Sequence, residues 1–238
     1  MIEIQVIASS SNGNCYRLVS GQHQLLLEAG LPIQQIKKAC GYQLGWLDGC
    51  LISHAHGDHS QAVPHLIKAG VDVYMSAETA RALGEKAVGA TVLAEDKAVS
   101  IGKRYWTIKT FPLYHDVPCI GFFVYDKDDC VVFATDTFVV PKLYAGAIGQ
   151  LMIECNYLPE ILDQRLEAGE VNFKQAERIL HSHMSLDSVL LFLHHSKEAM
   201  RYCRRIYLIH GSRDNGDPER FKQAVQRATG KEVVVCGP

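Results

Sequence analysis

Short apolar runs bounded by small and polar residues dominate the first half of the chain, and this pattern predicts β-strands. The runs are IEIQVIA, YRLVS, QLLLEAG, GCLIS, VDVYM, RYWTIKTFPLY, IGFFVYD and DCVVFAT. Helix-like spacing interrupts them in QAVPHLIKAG and SAETARALGEK, where Ser60 and Ser76 are the expected N-caps. The first half is therefore expected to be mainly sheet.

Strands and helices alternate in the second half of the chain. Strands are predicted at LMIECN, RIYLIHG and EVVVC, and helices at 160–168, 173–181, 185–195 and PERFKQAVQRA. Strand runs followed by strand–helix alternation favour an α/β fold with two sheets and helices packed outside them. The sequence has no recognisable linker or repeat, so one domain spanning 1–238 is expected.

Four of these apolar strands stop at a side chain that can bind a metal. GCLIS stops at His54, YWTIKTFPLY at His115, CVVFAT at Asp136 and RIYLI at His210. Polar groups at strand ends can converge on one rim of a sheet, where the scaffold holds them rigidly. An unpaired carboxylate after an apolar strand would be costly, so Asp136 needs a partner such as a metal.

The composition is that of an ordinary globular protein, with 47% hydrophobic and 21% charged residues. A formal net charge of −2 gives no bulk electrostatic case for nucleic-acid binding, although a local basic track remains open. The best local cluster is Lys197, Arg201, Arg204 and Arg205, which is more simply read as a solvated helix face.

The sequence also predicts the compartment of the protein and the redox state of its cysteines. No apolar run reaches the length of a bilayer span and no secretory signal is visible, so a cytoplasmic protein without membrane contact is expected. The eight cysteines form no C-x-x-C pair, and several lie in apolar strand-like runs. Buried, reduced thiols are therefore expected instead of disulfides or a zinc knuckle.

The stretch ISHAHGDHS crowds His54, His56, Asp58 and His59 into six positions. At this composition such a coincidence is expected in on the order of one chain in a thousand. Imidazole and carboxylate are the natural ligands of zinc and similar ions, and three protein ligands per ion leave room for a water. Gly57 is expected to let the backbone turn sharply between the ligands. The alternative is that some of these histidines are hydrogen-bonded turn residues.

With the later His115, Asp136 and His210, the H-x-H-x-D-H motif resembles the metallo-β-lactamase superfamily over nearly the whole chain. The resemblance implies a four-layer αββα sandwich with a dinuclear site between the sheets. It implies that one metal is held by His54, His56 and His115, the other by Asp58, His59 and His210, with Asp136 bridging them.

Further stretches are similar to the nuclease branch of this superfamily, and above all to small bacterial YycJ/WalJ-type proteins related to tRNase Z. These stretches are SSSNGN, HDVPCIGFFVYDKDDCVVFATDT, IECNY, HMS and HGSRDN. The chain departs from that pattern at Met184 and Gly211, where leucine is commoner, and at Gly216 in place of a second asparagine. None of these departures removes a ligand.

The resemblance implies phosphodiester hydrolysis by a metal-bridging hydroxide, with two divalent ions as cofactors: zinc or manganese, with mixing with iron left open. Asp58 is implied to orient the hydroxide as well. His183 is implied to contact the scissile phosphate or protonate the leaving oxygen; the alternative is a helix-capping role. Glu154 is implied to steady a metal-bound histidine, or else to pair with a nearby cation.

Two segments are candidates for substrate binding. Ser212, Arg213 and Asn215 follow His210 directly, and Arg213 could neutralise a phosphate. The small-residue loop 9–14, with Ser11, Asn12 and Asn14, could offer backbone N–H groups to an anion, or it could be a plain hairpin turn.

Three functions compete at this point. The first is a nuclease or phosphodiesterase acting on DNA or RNA, and the second is a hydrolase of a small molecule such as a cyclic or nucleotide phosphodiester, a thioester or a β-lactam. The third is a non-enzymatic, metal-stabilised binding module, against which the complete ligand set argues. The sequence leaves the choice of DNA or RNA, the native metal and assembly into a homo-oligomer open.

Overall fold

The computed structural model describes residues 1–94, 97–143 and 148–237. The strands are β1 (Glu3–Ala8), β2 (Cys15–Ser20), β3 (His23–Leu27), β4 (Gly49–Leu51), β5 (Val73–Met75), β6 (Thr91–Val92), β7 (Val99–Ile101), β8 (Trp106–Leu113), β9 (Cys119–Tyr125), β10 (Cys130–Ala134), β11 (Gln150–Glu154), β12 (Arg205–Ile209) and β13 (Glu232–Val235). The helices are α1 (Ile33–Ala39), α2 (Gly57–Ser60), α3 (Val63–Lys68), α4 (Ala77–Leu83), α5 (Pro159–Glu167), α6 (Phe173–Ser182), α7 (Leu186–His195) and α8 (Pro218–Thr229). None of these helices is long and apolar enough to cross a membrane.

The strands form two mixed sheets. The first has six strands in the order β1-β2-β3-β4-β5-β6, antiparallel up to β3 and parallel from there on. The second has seven strands in the order β13-β12-β11-β10-β9-β8-β7, parallel from β13 to β10 and antiparallel beyond. As a result β8, β10, β11 and β12 all run in one direction, and their carboxyl ends share one edge.

Side-chain alternation along the strands divides the core into three apolar layers. Leu25 and Leu27 of β3 face the second sheet and share a cluster with Phe133 of β10, whereas Leu26 points outward to α1 and α3. On the other sheet, Leu151 faces α7 and α8. Each sheet is therefore apolar on both faces and carries helices outside, which confirms the predicted αββα sandwich.

Two local predictions are wrong. Ser60 does not begin a helix: it ends α2, and its hydroxyl donates to the carbonyls of Ala55 and His56. Gly57 has no left-handed backbone and starts α2 with open space around it, so a side chain would fit there. Ser76 does cap α4, because its hydroxyl accepts from Thr79 N at 3.0 Å. The sequence pattern also missed α1 altogether.

The cysteines behave as the sequence predicts. All eight lie in the described ranges, are buried and form no disulfide. Burial raises the pKa of Cys130 and of Cys236 to about 12, so these thiols stay protonated and act as small apolar groups.

One buried carboxylate ties the two sheets together at the end remote from the histidines. Asp129, directly before β10, accepts from Ile2 N at 3.0 Å, Gln150 Nε2 at 3.3 Å and Arg204 Nη2 at 2.7 Å. Burial alone would raise the pKa of Asp129, but Arg204 and the backbone donors at Ile2 and Cys130 outweigh it and lower the pKa. The ionised carboxylate therefore stabilises the docking of the first strand.

We expect Asp129→Asn to lower the free energy of unfolding by about 1–3 kcal/mol at neutral pH. Because the folded pKa lies below the unfolded one, the stabilisation is present above about pH 4 and is lost as pH falls below it. Urea unfolding at a series of pH values should show that the free energies of unfolding of wild type and Asp129→Asn converge in acid. Asp128→Asn, at an exposed neighbouring carboxylate, is the control and should change the free energy of unfolding little. A stability difference between wild type and Asp129→Asn that stayed constant with pH would contradict the role of the ionised carboxylate.

Candidate metal centre

The predicted ligands meet at the edge where strands of both sheets end. His54 follows β4, His115 follows β8, Asp136 follows β10 and His210 follows β12, each within three residues of the last strand position. The remaining three, His56, Asp58 and His59, lie just before and within the short α2. Because the packed sheets fix where each strand stops, these side chains have little freedom to move apart.

Asp136 lies at the middle of the cluster. Its Oδ2 is 3.7 Å from His54 Nε2, 3.7 Å from His115 Nε2 and 3.4 Å from His59 Nε2. Its Oδ1 is 3.2 Å from His210 Nδ1. A single buried carboxylate thus lies beside four histidines from three separate stretches of the chain.

Three overlapping groups of ligating atoms result, in each of which the atoms lie within 4.8 Å of one another. They are His54, His56, His115 and Asp136; Asp58, His59, Asp136 and His210; and Asp136, Glu154, His183 and His210. The first two groups have the composition that the sequence resemblance implies, and Asp136 is common to both. The third was not anticipated as a ligand group.

The acidic side chains of the centre depend on positive charge beside them. Burial alone would raise the pKa of Asp136, but the adjacent His210 and His59 outweigh it and hold the pKa well below its usual range. In return, and against the effect of burial, Asp136 raises the pKa of His210 to about 10 and that of His59 well above its usual value. A divalent cation would supply this positive charge and let the imidazoles bind through neutral nitrogens.

The histidine nitrogens provide a test of that fit. His54 Nε2 and His210 Nε2 are buried and lack a hydrogen-bond partner within the described part of the chain. Burial lowers the pKa of His54 well below its usual value, so its imidazole is neutral and has a lone pair to offer. Unpartnered buried nitrogens beside carboxylate oxygens are the donor set that zinc and similar divalent ions prefer. The residues present fit metal binding.

Hydrogen bonds at the far ring nitrogen orient His115. Its Nδ1 lies 2.8 Å from the carbonyl oxygen of Ser182, which can only accept, so Nδ1 carries the hydrogen. Its Nε2 therefore carries the lone pair in the neutral ring and faces the centre, 3.3 Å from His56 Nδ1. The end of α6 thereby fixes the tautomer that a metal ligand needs.

Glu154, at the end of β11, organises the opposite side of the cluster. Its Oε1 lies 2.6 Å from His183 Nδ1 and 3.0 Å from His210 Nδ1. Its Oε2 accepts from the backbone N–H of Thr137 and of Met184 at 3.0 and 3.2 Å. Four donors converge on one carboxylate, so Glu154 fixes His183 and His210 relative to the loop that carries Asp136.

Sequence reasoning missed Glu28 and assigned Asn14 to substrate binding, and both residues lie behind His59. Glu28 is fully buried, accepts from Ser53 N at 3.2 Å and lies 3.6 Å from His59 Nδ1. Asn14 was expected to bind an anion but is also fully buried, with its Nδ2 at 3.1 Å from His59 Nε2. The only sequence signal for Glu28 is a carboxylate directly after an apolar strand, the same signal that identified Asp136.

Backbone strain marks the same strand ends. Glu28, Asp136 and His210 have φ angles of 64°, 43° and 54°, in the left-handed region that side chains other than glycine rarely adopt. Nearby, a Cβ at Gly30 would overlap the carbonyl oxygen of Asp58, so this glycine, and not Gly57, is what the ligand loop requires. Strained positions held by a rigid scaffold are typical of functional sites.

The cluster opens into a cavity of about 510 Å³. Asp58, His183, Ser11 and Asn215 are among its lining residues. Of the other substrate-binding candidates, all within the described ranges, Ser212, Arg213 and Asn12 do not line it. The guanidinium groups of the cavity wall belong instead to the α5–α6 segment.

Among the candidates that reach the cavity, Asn215 has a structural role. Its Oδ1 accepts from Arg165 Nη1 at 2.7 Å, and its backbone N–H donates to Ser212 Oγ at 3.1 Å. Asn215 and Ser212 therefore fix the conformation of the loop after His210. Arg213 belongs to the same loop but is exposed and lies outside the cavity.

Comparisons with known proteins agree with this geometry. The family model described as a β-lactamase superfamily domain matches residues 23–210. Exodeoxyribonuclease WalJ of Streptococcus pneumoniae is 30% identical over 90% of this chain and 83% of its own length. Exodeoxyribonuclease YycJ of Bacillus anthracis is 25% identical over 95% and 88%. Among solved structures, the metallo-β-lactamase fold protein YhfI of Bacillus subtilis superposes with a TM-score of 0.75 at 18% identity, covering 99% of this chain and 96% of that one.

Glu154→Gln should weaken zinc binding about 10- to 100-fold while leaving the fold intact. The amide has one oxygen in place of two, so its NH₂ group must face either the two histidine nitrogens or the two backbone donors. Competition with a chromophoric chelator would measure the affinity. Glu177→Gln, at an exposed position of α6, is the control; equal affinity for the two variants would exclude an orienting role for Glu154.

Proposed function

This chain belongs to the β-lactamase superfamily, and from that premise we propose that it is a metal-dependent nuclease that hydrolyses phosphodiester bonds of DNA. The observation that carries the proposal is the position of Asp136, shared by two groups of ligating side chains at the floor of an open cavity. DNA is the proposed substrate because two relatives similar over most of the chain are named exodeoxyribonucleases.

In this proposal His54, His56 and His115 hold one divalent ion, Asp58, His59 and His210 hold a second, and Asp136 serves both. Zinc and manganese both suit nitrogen and oxygen ligands without thiolate. Bound at these residues, a pair of such ions would lower the pKa of a water and take up negative charge on the phosphoryl oxygens. The cavity above gives the scissile phosphate access.

Asp58 is proposed to orient the attacking water by accepting a hydrogen bond from it. It is one of the proposed ligands that line the cavity, with Oδ2 3.4 Å from His59 Nε2 and 3.6 Å from His210 Nε2. Against the effect of partial burial, the neighbouring imidazoles of His210 and His59 hold the pKa of Asp58 well below its usual range. The carboxylate is therefore ionised at neutral pH and ready to accept a hydrogen bond.

His183 is proposed to protonate the leaving oxygen. Although burial alone would lower the pKa of His183, Glu154 outweighs it and raises the pKa, which keeps the imidazole protonated nearer neutral pH. Because Nδ1 is bonded to Glu154, Nε2 is the nitrogen left for the substrate. His183 lines the cavity, so a proton donor and the carboxylate that would orient the water border the same space.

Metal content is the first test of the proposal. Protein treated with a chelator and reloaded with zinc should hold two ions per chain, measured by elemental analysis after gel filtration. We expect His54→Ala and His210→Ala each to lose about one ion, because each removes a ligand of a different group. His65→Ala removes an exposed histidine outside the centre and should retain two. A wild-type chain that binds one ion or none would overturn the two-ion site.

Cleavage of labelled single- and double-stranded DNA and RNA, beside bis-p-nitrophenyl phosphate and nitrocefin, tests the reaction. We expect DNA cleavage with added zinc or manganese, and Asp58→Ala to lower kcat about 10²- to 10⁴-fold at saturating metal. His65→Ala should keep wild-type activity. Hydrolysis of the small diester or of nitrocefin without cleavage of any polynucleotide would contradict the nuclease, and cleavage of RNA alone would replace DNA as the substrate.

A further inference from the structure

The helical hairpin formed by α5 and α6 is one wall of the cavity. It packs on its own small apolar cluster of Tyr157, Leu162, Val171 and Ala176, separate from the cores between and outside the sheets. Val171, Gln175 and Ile179 face the cavity from this wall. The hairpin is therefore a self-supported element set beside the candidate metal centre.

Two arginines of the hairpin line the cavity, and their hydrogen bonds distinguish them. Arg165 is committed to the protein, because its Nε donates to Glu170 Oε2 at 3.0 Å and its Nη1 to Asn215 Oδ1 at 2.7 Å. Arg178 has a side chain 65% exposed, and its Nε donates to Asp116 Oδ2 at 3.2 Å. Among the described residues, nothing accepts a hydrogen bond from Nη1 or Nη2 of Arg178.

Asp116 directs Arg178 towards the centre. Its Oδ1 lies 3.1 Å from His115 Nε2 and 3.3 Å from His56 Nε2, while its Oδ2 holds Arg178. A single carboxylate group therefore separates the guanidinium from two of the candidate ligands. An ion pair this exposed is weak, so Arg178 can exchange it for a phosphate, to which guanidinium binds through two parallel hydrogen bonds.

We infer that Arg178 is the residue by which this site selects substrates with a second phosphate, next to the one that is hydrolysed. The inference rests on the proposed function and deepens it. A substrate with a single phosphodiester occupies the centre and leaves Arg178 paired with Asp116. A nucleotide chain offers a neighbouring phosphate that Arg178 can bind.

The test compares Arg178→Ala with Arg213→Ala, a matched exposed arginine outside the cavity. The substrates are a thymidine dinucleotide with one phosphate, the same dinucleotide with a second phosphate at its 5′ or 3′ end, and bis-p-nitrophenyl phosphate. Wild type should favour a dinucleotide with two phosphates. Arg178→Ala should lose about 10- to 100-fold in kcat/KM on that substrate and remain unchanged on the two single-phosphate substrates.

A binding measurement provides a readout that does not depend on turnover. Fluorescence anisotropy of a labelled single-stranded oligonucleotide, with chelator-treated protein at several salt concentrations, gives the slope of log K against log salt. Arg178→Ala should weaken binding and reduce that slope by about 0.7, the contribution of one phosphate contact, whereas Arg213→Ala should match wild type. Arg178→Lys should restore the slope but only part of the affinity.

The outcomes separate the two proposals. If wild type cleaves DNA and Arg178→Ala equals Arg213→Ala in both assays, the inference is overturned and the nuclease stands. Equal losses on single-phosphate and two-phosphate substrates also overturn it, because Arg178 would then be supporting the centre through Asp116. If no polynucleotide is cleaved, the proposed function fails, and the salt slope alone decides whether Arg178 binds phosphate.

Discussion

The burial of the Asp136 carboxylate among four histidines is the constraint on which the rest of the site depends. A carboxylate removed from water is tolerated only beside positive charge or strong donors. The surrounding imidazoles lie between 3.2 and 3.7 Å from its oxygens. They come from three separate stretches of the chain and from both sheets. The packed sheets bring those stretches together, and a cationic partner makes their convergence favourable.

The scaffold maintains this arrangement against a local cost. Left-handed backbone at Glu28, Asp136 and His210 costs roughly 1–3 kcal/mol per position. Each of these residues lies within two positions of the end of a strand whose apolar side chains are buried on both faces, so the sheets can hold the strained turn. Strain, buried charge and unpartnered nitrogens coincide at the same strand ends, and the three together distinguish this edge from ordinary loops.

The sequence predicted what depends on local pattern: the layers, most elements, and the strand-end residues His54, His115, Asp136 and His210. It failed where geometry depends on a distant neighbour. Gly30 is needed because the carbonyl of Asp58 packs against it, a contact across the fold that no spacing within ISHAHGDHS could predict. Ser60 looked like a cap because a helical run follows it, but the chain makes a separate short helix first. The part that the α5–α6 hairpin plays in the cavity was missed for a similar reason. Nothing in the local sequence around Arg165 or Arg178 indicates that these residues lie near the histidines.

A net charge of −2 is compatible with polynucleotide binding when the placement of charge is considered. The buried acidic groups of the ligand cluster are balanced by His59 and His210, whose pKa values are raised, so without bound cations the cluster offers a phosphate little net positive charge. Metal ions at the cluster would add positive charge there, whereas the guanidinium groups of Arg165 and Arg178 lie outside the ligand set and keep their charge in either state. The two attractive features thus arise from separate elements, the centre from the sheet edges and the wall from the α5–α6 hairpin. Substitutions in the hairpin alone can therefore change the preference for a substrate, because the ligand residues are held by the sheets and stay in place.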